Sequence, residues 1–287
     1  MTANTTRVIG ENKGKHYGDV VSWAITPGSK TTYDKVQQAL TTANLDYISI
    51  RERLPRHAFA RAVKYLQENR IIRQVNETKE FLVFQFTKEY HEENEYLYEK
   101  ETIVTLNKIT GELSTNTDNK DIETKAQELL TKAKHEWTVP DISRLIQRLF
   151  KAKNADLFPV NPRGTTYFVA AKEKEFLDKI EKFLQTIGGS LIRLSVYSGD
   201  ETTEKSIAEI ITTTLKTVVD EHNEAITKLS LTESTDDIEE QIQKIEETRL
   251  KIESYSEYLA ENAETLKNEL DKAKAILQAK LETEVVV

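Results

Sequence analysis

Basic residues form the clearest chemical signal in the sequence. Arg144, Arg148 and Lys151 are spaced i, i+4 and i+7, which places them on one face of a helix. Residues 51–76 and 140–174 are both rich in Arg and Lys. A helix that exposes such side chains can contact phosphates, so the pattern predicts a nucleic-acid-binding surface. The predicted nucleic-acid contacts are Arg56, Arg61, Lys64, Arg73, Arg144, Arg148, Lys151, Lys153 and Arg163.

Groups that could carry catalysis are few and scattered. The 287 residues include no cysteine, which excludes disulfides, thiol nucleophiles and Cys-ligated metal sites. The five histidines are widely separated, and no glycine motif for a phosphate loop or a nucleophile elbow occurs. The acidic stretch after His91 would spread its side chains over both faces of a strand, which favours a solvated edge over a metal site. We therefore predict no enzymatic activity, no cofactor and no bound metal.

The overall composition predicts a protein without a membrane segment. Hydrophobic residues make up 38% of the chain and charged residues 31%, and no apolar run approaches the roughly 18 residues that span a bilayer. The first ten residues show no basic and then apolar signal pattern. We expect a cytoplasmic protein.

Helices and hairpins that would position the basic residues recur in one order. We predict helices at 32–44 and 55–69, strands at 70–75 and 80–87, and a hairpin from 95–106 and 113–115. Helices at 121–135 and 140–151 then precede a hairpin at 157–160 and 166–170. Helix, helix, hairpin is the order of a winged helix. Because Pro55 to Asn76 and Pro140 to Asn161 span the same distance, the order also suggests a duplicated unit.

Residues 200–287 predict a different structure, a long pair of helices. They carry 22 acidic and 10 basic residues, a net charge of −12, which leaves +4 for residues 1–199 out of the total of −8. Apolar residues recur at alternating steps of four and three, the pattern of a coiled coil. We predict two antiparallel helices around a turn near residues 233 and 234, the second continuous from Ile238 to about Glu282. Within the seam, we interpret His222 as a residue with its polar edge in water, and Arg249 lacks a local partner.

The end of this second helix extends beyond its shorter partner. An apolar stripe is then left uncovered, and it would either associate with another chain or pack on domain residues such as Leu191 to Tyr197. The predicted oligomerisation residues are Leu266, Leu270, Ala273, Leu277 and Leu281.

These patterns together predict an α+β fold: an antiparallel-strand body with winged-helix-like units, followed by a long antiparallel coiled-coil hairpin. The expected division is residues 1–120, 121–199 and 200–287. We predict a non-enzymatic binding and assembly protein, which binds nucleic acid through its basic helix and hairpin units and self-associates or binds a protein through its C-terminal arm. The alternative is a protein-protein scaffold or inhibitor whose basic residues meet an acidic partner.

Overall fold

The structure is a computed structural model, and the fold is mixed α+β with mainly antiparallel sheets. It describes residues 6–8, 14–26, 31–67, 70–92, 95–116, 120–162, 164–228 and 235–284. The strands are β1 (Thr6–Val8), β2 (His16–Ile25), β3 (Thr31–Thr32), β4 (Arg70–Glu77), β5 (Phe81–Glu92), β6 (Glu95–Asn107), β7 (Leu113–Thr115), β8 (Glu136–Trp137), β9 (Phe158–Pro159), β10 (Thr166–Ala170) and β11 (Gly189–Tyr197). The helices are α1 (Tyr33–Thr42), α2 (Pro55–Leu66), α3 (Lys120–His135), α4 (Val139–Ala152), α5 (Lys174–Thr186), α6 (Glu201–Lys228), α7 (Thr235–Ser254), α8 (Ser256–Leu259) and α9 (Asn262–Glu284).

Local sequence accounts for where the early helices begin. Thr32 caps α1 by accepting a hydrogen bond from the backbone N–H of Lys35 at 3.4 Å. Helix α2 begins with Pro55 at its first position, where the missing N–H has no intrahelical partner in any case. Both helices bury one apolar face, so the periodicity that predicted them also fixes their orientation.

The chain divides into two compact units that alternate along the sequence. Unit 1 contains Met1–Ala24, Phe150–Asp178 and Ser190–Val287, and unit 2 contains Ile25–Leu149 and Lys179–Gly189. The sequence predicted three consecutive segments instead.

Unit 2 is built on a four-stranded antiparallel sheet in the order β4-β5-β6-β7. Helices α2 and α3 pack on it through a core that includes Phe59, Phe86, Val104 and Leu130. The hairpin predicted from 95–106 and 113–115 is confirmed, because β6 pairs antiparallel with β7. Strands β5 and β6 pair as far as Glu92 opposite Glu95, beyond the end of β4.

Unit 1 contains a five-stranded sheet in the order β1-β11-β2-β10-β9. Strands β2 and β10 pair antiparallel, whereas β1 and β11 pair parallel. The hairpin formed by β9 and β10 therefore belongs to a different sheet from the hairpin formed by β4 and β5. The repeated order of helix and hairpin is present, but the two hairpins do not share a sheet.

The prediction of one continuous helix from Ile238 to about Glu282 is wrong. Helix α7 ends at Ser254, α8 is a short helix, and Ala260 has a positive φ of 47° before α9 begins. Tyr255 and Tyr258 lie at this interruption and are buried. Tyr255 packs edge-on against Phe158, with ring centroids 4.9 Å apart. These tertiary contacts hold the chain out of the helical conformation that its local sequence favours.

Because of the interruption, α9 folds back along α7. Lys274 contacts Glu246 at 3.0 Å and Arg249 contacts Asp271 at 3.2 Å, which shows that α7 and α9 are antiparallel. Asn262 donates a hydrogen bond to Thr212 at 3.3 Å on α6. Helices α6, α7 and α9 therefore pack together in the C-terminal part of unit 1. Asp271 on α9 is the partner of Arg249, which a pair of helices alone did not provide.

The apolar stripe predicted for oligomerisation is part of the core of unit 1. Leu266, Leu270, Ala273 and Leu277 are buried together with Tyr17, Phe158 and Phe168, and Leu281 packs against the same core as a partly buried residue. Val196 of β11 also packs against it, in agreement with the alternative that the stripe contacts Leu191–Tyr197. The prediction of an exposed stripe is wrong, because the fold-back of α9 supplies the cover.

Several predicted features lie outside the described residues. They are the turn near residues 233 and 234, the last residues of the helix predicted to end at residue 69, and Arg163.

Candidate functional site

A half-buried carboxylate in unit 2 organises the basic residues of two helices. Asp141 lies in the first turn of α4, and Arg61 of α2 donates to it from both terminal guanidinium nitrogens, Nη1 to Oδ2 at 2.8 Å and Nη2 to Oδ1 at 2.6 Å. Arg53 donates to Oδ2 at 2.9 Å. Thr138 donates to the same oxygen from its backbone N–H at 2.9 Å and from its hydroxyl at 2.7 Å. Asp141 therefore joins α2, α4 and the segment before α2.

The end of α3 is held by the same group of residues. The other terminal nitrogen of Arg53 donates hydrogen bonds to the carbonyls of Ala133 and Glu136. The last carbonyls of a helix have no intrahelical partner and carry partial negative charge, so a guanidinium at this place stabilises the helix end. The guanidinium groups of Arg53 and Arg61 are thus occupied by contacts that stabilise the fold.

The hydrogen bonds to Asp141 also determine its protonation. Burial opposes ionisation of the carboxyl, but the hydrogen bonds from Arg61 and Thr138 outweigh it and lower the pKa of Asp141 to about 2. For Arg53, burial lowers the guanidinium pKa, although the neighbouring Asp141 charge opposes this effect. Asp141 is consequently a carboxylate throughout the physiological range, with its charge balanced by two arginines.

A cavity of about 250 Å³ opens beside this centre and is lined mainly by cations. Arg144 has 70% of its side chain exposed and lies 3.9 Å from Asp141, whose oxygens are already bound by Arg53 and Arg61. Arg148 is exposed and donates to the carbonyl of Ser49 at 3.1 Å. The lining residues are Arg51, Arg53, Lys134, Trp137, Asp141, Arg144, Leu145 and Arg148.

Glu52 and Glu136 are acidic residues near this cavity, and Glu136 interacts electrostatically with Arg53 and Arg61. Glu52 lies 3.6 Å from Lys134 and 3.3 Å from His135, so it offsets the charge of Lys134. The contacts of Glu52 do not extend to Arg51, Arg144 or Arg148 among the described ion pairs. These three arginines leave an excess of positive charge at the mouth of the cavity.

The structure separates the residues that the sequence grouped as nucleic-acid contacts. It brings Arg144 and Arg148 together at the cavity, and it places Arg61 in the Asp141 ion pair instead of on a free surface. Arg56, Lys64 and Arg73 are exposed on α2 and β4. None of these three lines the cavity.

Lys151 and Lys153 follow in unit 1. Lys151 lines a separate cavity of about 740 Å³ that also contains Lys172, Lys244 and Lys251. Acidic residues already pair two of those lysines, since Lys251 contacts Asp156 and Lys244 contacts Glu240. Lys153 is exposed.

Sequence reasoning missed Arg51, Lys134, Trp137 and Asp141 as parts of one site. A signal for Asp141 was present, because Thr138 and Asp141 have the spacing of a helix capping box, and the backbone N–H of Thr138 does donate to the Asp141 carboxylate. No local signal links Arg51 with Lys134, because their proximity depends on the packing of α2, α3 and α4.

His222 is likewise accounted for by contacts within unit 1. Its ring nitrogens bond to Thr248 at 2.9 Å and to Gln241 at 3.0 Å. Burial lowers the pKa of His222, which favours the neutral ring. Over the described part of the chain, no group of three or more His, Cys, Asp or Glu residues could hold a metal ion. Within the same residues, no helix combines the length and apolar character needed to cross a membrane.

Comparison with known proteins identifies a family. Residues 16–285 match the model of a family of unknown function, DUF6744. The chain belongs to this family. Searches of the curated proteins and of the solved structures gave no match. Since the matched range covers all of unit 2, the Asp141 centre and its cavity lie within the DUF6744 region.

Proposed function

We propose that this DUF6744 protein is a non-enzymatic nucleic-acid-binding protein whose phosphate contacts are Arg51, Arg144 and Arg148. The observation that carries the proposal is the cationic cavity beside Asp141. Because Arg53 and Arg61 already neutralise this carboxylate, the remaining arginines are available to an external anion.

The support for nucleic acid comes from the geometry of the cations. Arg144 and Arg148 are one helical turn apart on α4, and the structure holds the start of this helix through Thr138 and Asp141. The planar guanidinium group of arginine binds phosphate through two parallel hydrogen bonds, which the ammonium group of lysine cannot do. The net charge of −12 in residues 200–287 would keep those helices away from the nucleic-acid backbone.

The finer features of the architecture belong to the same proposal. We infer that α2 with β4 and β5, and α4 with β9 and β10, act as winged-helix-like units, and the support is their shared order of helix and hairpin. We also infer coiled-coil packing among α6, α7 and α9, supported by heptad-spaced residues in their common core. Self-association and a cytoplasmic location complete the proposal, and the buried stripe of α9 is not part of the associating surface.

Fluorescence anisotropy of labelled duplex and single-stranded DNA with the full chain tests the proposal at two salt concentrations. We expect binding that weakens steeply as salt rises, because cations bound to phosphate displace counterions. Arg144→Ala with Arg148→Ala should reduce the affinity by at least roughly tenfold, and Arg144→Lys with Arg148→Lys should retain part of it.

The matched control is Lys205→Ala with Lys272→Ala, which removes two positive charges from exposed positions in unit 1. If this control weakens binding as much as the arginine variant does, the attraction is a general charge effect and the assignment to the cavity is wrong. Absence of binding at low salt would refute nucleic-acid binding altogether. Binding of an acidic protein in place of DNA would favour the scaffold alternative, and light scattering on the same samples reports self-association.

A further inference from the structure

The two tryptophans of the chain lie in contrasting environments. The ring of Trp23 in unit 1 stacks on Tyr167, with centroids 5.2 Å apart and planes 5° apart. Trp137 in unit 2 lines the cationic cavity, and within the described part of the chain its ring stacks on no other aromatic ring. An indole without a stacking partner, at the wall of an open cavity, offers a flat surface to a ligand.

The structure holds Trp137 in place from both sides along the chain. Its backbone pairs with Thr31 in the short antiparallel sheet of β3 and β8. Arg53 binds the carbonyl of the preceding residue, Glu136, and Thr138 binds Asp141 on the other side. Because the backbone at Trp137 is already ordered, less conformational freedom is lost when a ligand stacks on its ring, which favours binding.

The position of the indole among guanidinium groups restricts the class of ligand. A nucleotide combines a flat base with a phosphate, and the cavity combines a flat indole with Arg51, Arg144 and Arg148. In a duplex the base faces are covered by neighbouring bases, whereas an unpaired strand exposes them to aromatic side chains.

We propose that the cavity binds single-stranded nucleic acid by stacking one base on Trp137, with the adjoining phosphates on Arg144 and Arg148. This inference rests on the proposed function and names the form of nucleic acid that the same site takes. Single-stranded DNA and RNA share the required chemistry, so both are tested.

The test uses the full chain with Trp23→Phe, which leaves Trp137 as the only tryptophan of the two in the sequence. The probes are a thymidine oligonucleotide, a uridine oligonucleotide of the same length and a duplex. We expect both single strands to quench the emission of Trp137 as they bind, and the duplex to bind more weakly without quenching. Trp137→Leu should weaken binding of the thymidine oligonucleotide by roughly 5- to 150-fold, and Trp137→Phe should restore much of it.

The outcomes separate this inference from the proposed function. Binding that depends on Arg144 and Arg148 but leaves Trp137 emission unchanged, with the duplex bound as tightly as the single strands, overturns the stacking proposal alone. Absence of binding by every probe overturns both. Circular dichroism and urea unfolding show whether Trp137→Leu is folded. If Trp137→Leu is unfolded, the quenching of Trp137 emission measured in the Trp23→Phe protein decides the stacking proposal by itself.

Discussion

Asp19 in unit 1 and Asp141 in unit 2 are both carboxylates withdrawn from solvent and bound by arginine, but their charge balance is opposite. At Asp19, Arg193 donates at 3.1 Å and Ser195 at 2.9 Å, and Arg193 also binds Asp178. Two carboxylates therefore share one guanidinium. At Asp141, the guanidinium groups of Arg53 and Arg61 share one carboxylate.

The difference in charge balance distinguishes the ion pairs at Asp19, which hold the fold, from the candidate binding site at Asp141. Around Asp19 the positive charge of Arg193 is fully used by its two acids, and the Asp19 side chain is only 2% exposed. Around Asp141 the arginines exceed the acid, and the mostly exposed Arg144 extends the excess to the surface. Charge left over beside a saturated carboxylate is what an anionic ligand can use.

The largest expected effect is on stability, when either carboxylate is removed. We expect Asp19→Ala and Asp141→Ala each to lower the free energy of unfolding by about 3–5 kcal/mol. Asp141→Ala leaves the guanidinium groups of Arg53 and Arg61 without this carboxylate, and Asp19→Ala leaves the half-buried Arg193 with only the exposed Asp178 as its counter-charge among the described ion pairs. Urea denaturation measures this. Asp178→Ala, whose carboxylate is 57% exposed, is the control and should cost about 1 kcal/mol or less. Equal losses in all three variants would contradict the comparison.

Replacing arginine by lysine distinguishes the two centres more finely. Arg61→Lys removes one of two charge-assisted hydrogen bonds while Arg53 stays on Asp141, so we expect a loss of about 1.5–3 kcal/mol. Arg193→Lys should cost more, because one ammonium group cannot replace the separate contacts to Asp19 and Asp178. Thermal and urea unfolding provide the measurement. If Arg193→Lys lowers the unfolding free energy less than Arg61→Lys does, the double contact of Arg193 with Asp19 and Asp178 does not add to stability.

The low pKa of Asp141 predicts an acid dependence. Its folded pKa of about 2 lies below the ordinary 3.8, so the stabilisation is complete above about pH 4 and is lost as the pH falls towards 2. The lost contribution is roughly 2 kcal/mol. Measured from pH 6 to pH 2.5, the difference in unfolding free energy between wild type and Asp141→Asn should shrink. A constant difference would show that Asp141 does not titrate in this range.

The smallest effect on stability is expected at the cavity mouth. Arg144 is mostly exposed, so Arg144→Ala should change the unfolding free energy by no more than about 0.5 kcal/mol while weakening nucleic-acid binding. Differential scanning calorimetry together with the anisotropy titration separates the two quantities. A large loss of stability would place Arg144 with Arg53 and Arg61 as a structural residue.

The sequence predicted individual elements well where their signals are local. Pro55 marks the first turn of α2, and the turn between β6 and β7 contains Gly111, which has a positive φ of 78°. The break between α7 and α9 carries no proline or glycine, so local pattern could not reveal it. Arg249 was the available clue, since a charged residue in an apolar seam requires a partner, and Asp271 on the folded-back helix is that partner.

The site was predictable only in part for the same reason. Arg144 and Arg148 share a helix face that spacing alone defines. Arg53 and Arg61 looked equivalent to them in sequence, but their distinct roles depend on Asp141, eighty or more residues away along the chain. Ion pairs between distant segments leave no periodic trace in a sequence.

The alternation of the two units along the chain has a consequence for folding during synthesis. Strand β2 emerges early, yet Val20 needs Phe168 of β10 as its pairing partner, and β1 needs residues such as Leu194 of β11. Most of unit 2 lies in one continuous stretch, Ile25–Leu149, between these partners. Non-local pairing is slow, and chains fold from the N-terminus as they are made. Unit 2 can therefore fold around its local hairpins before β9, β10 and β11, which complete the sheet of unit 1, have been synthesised.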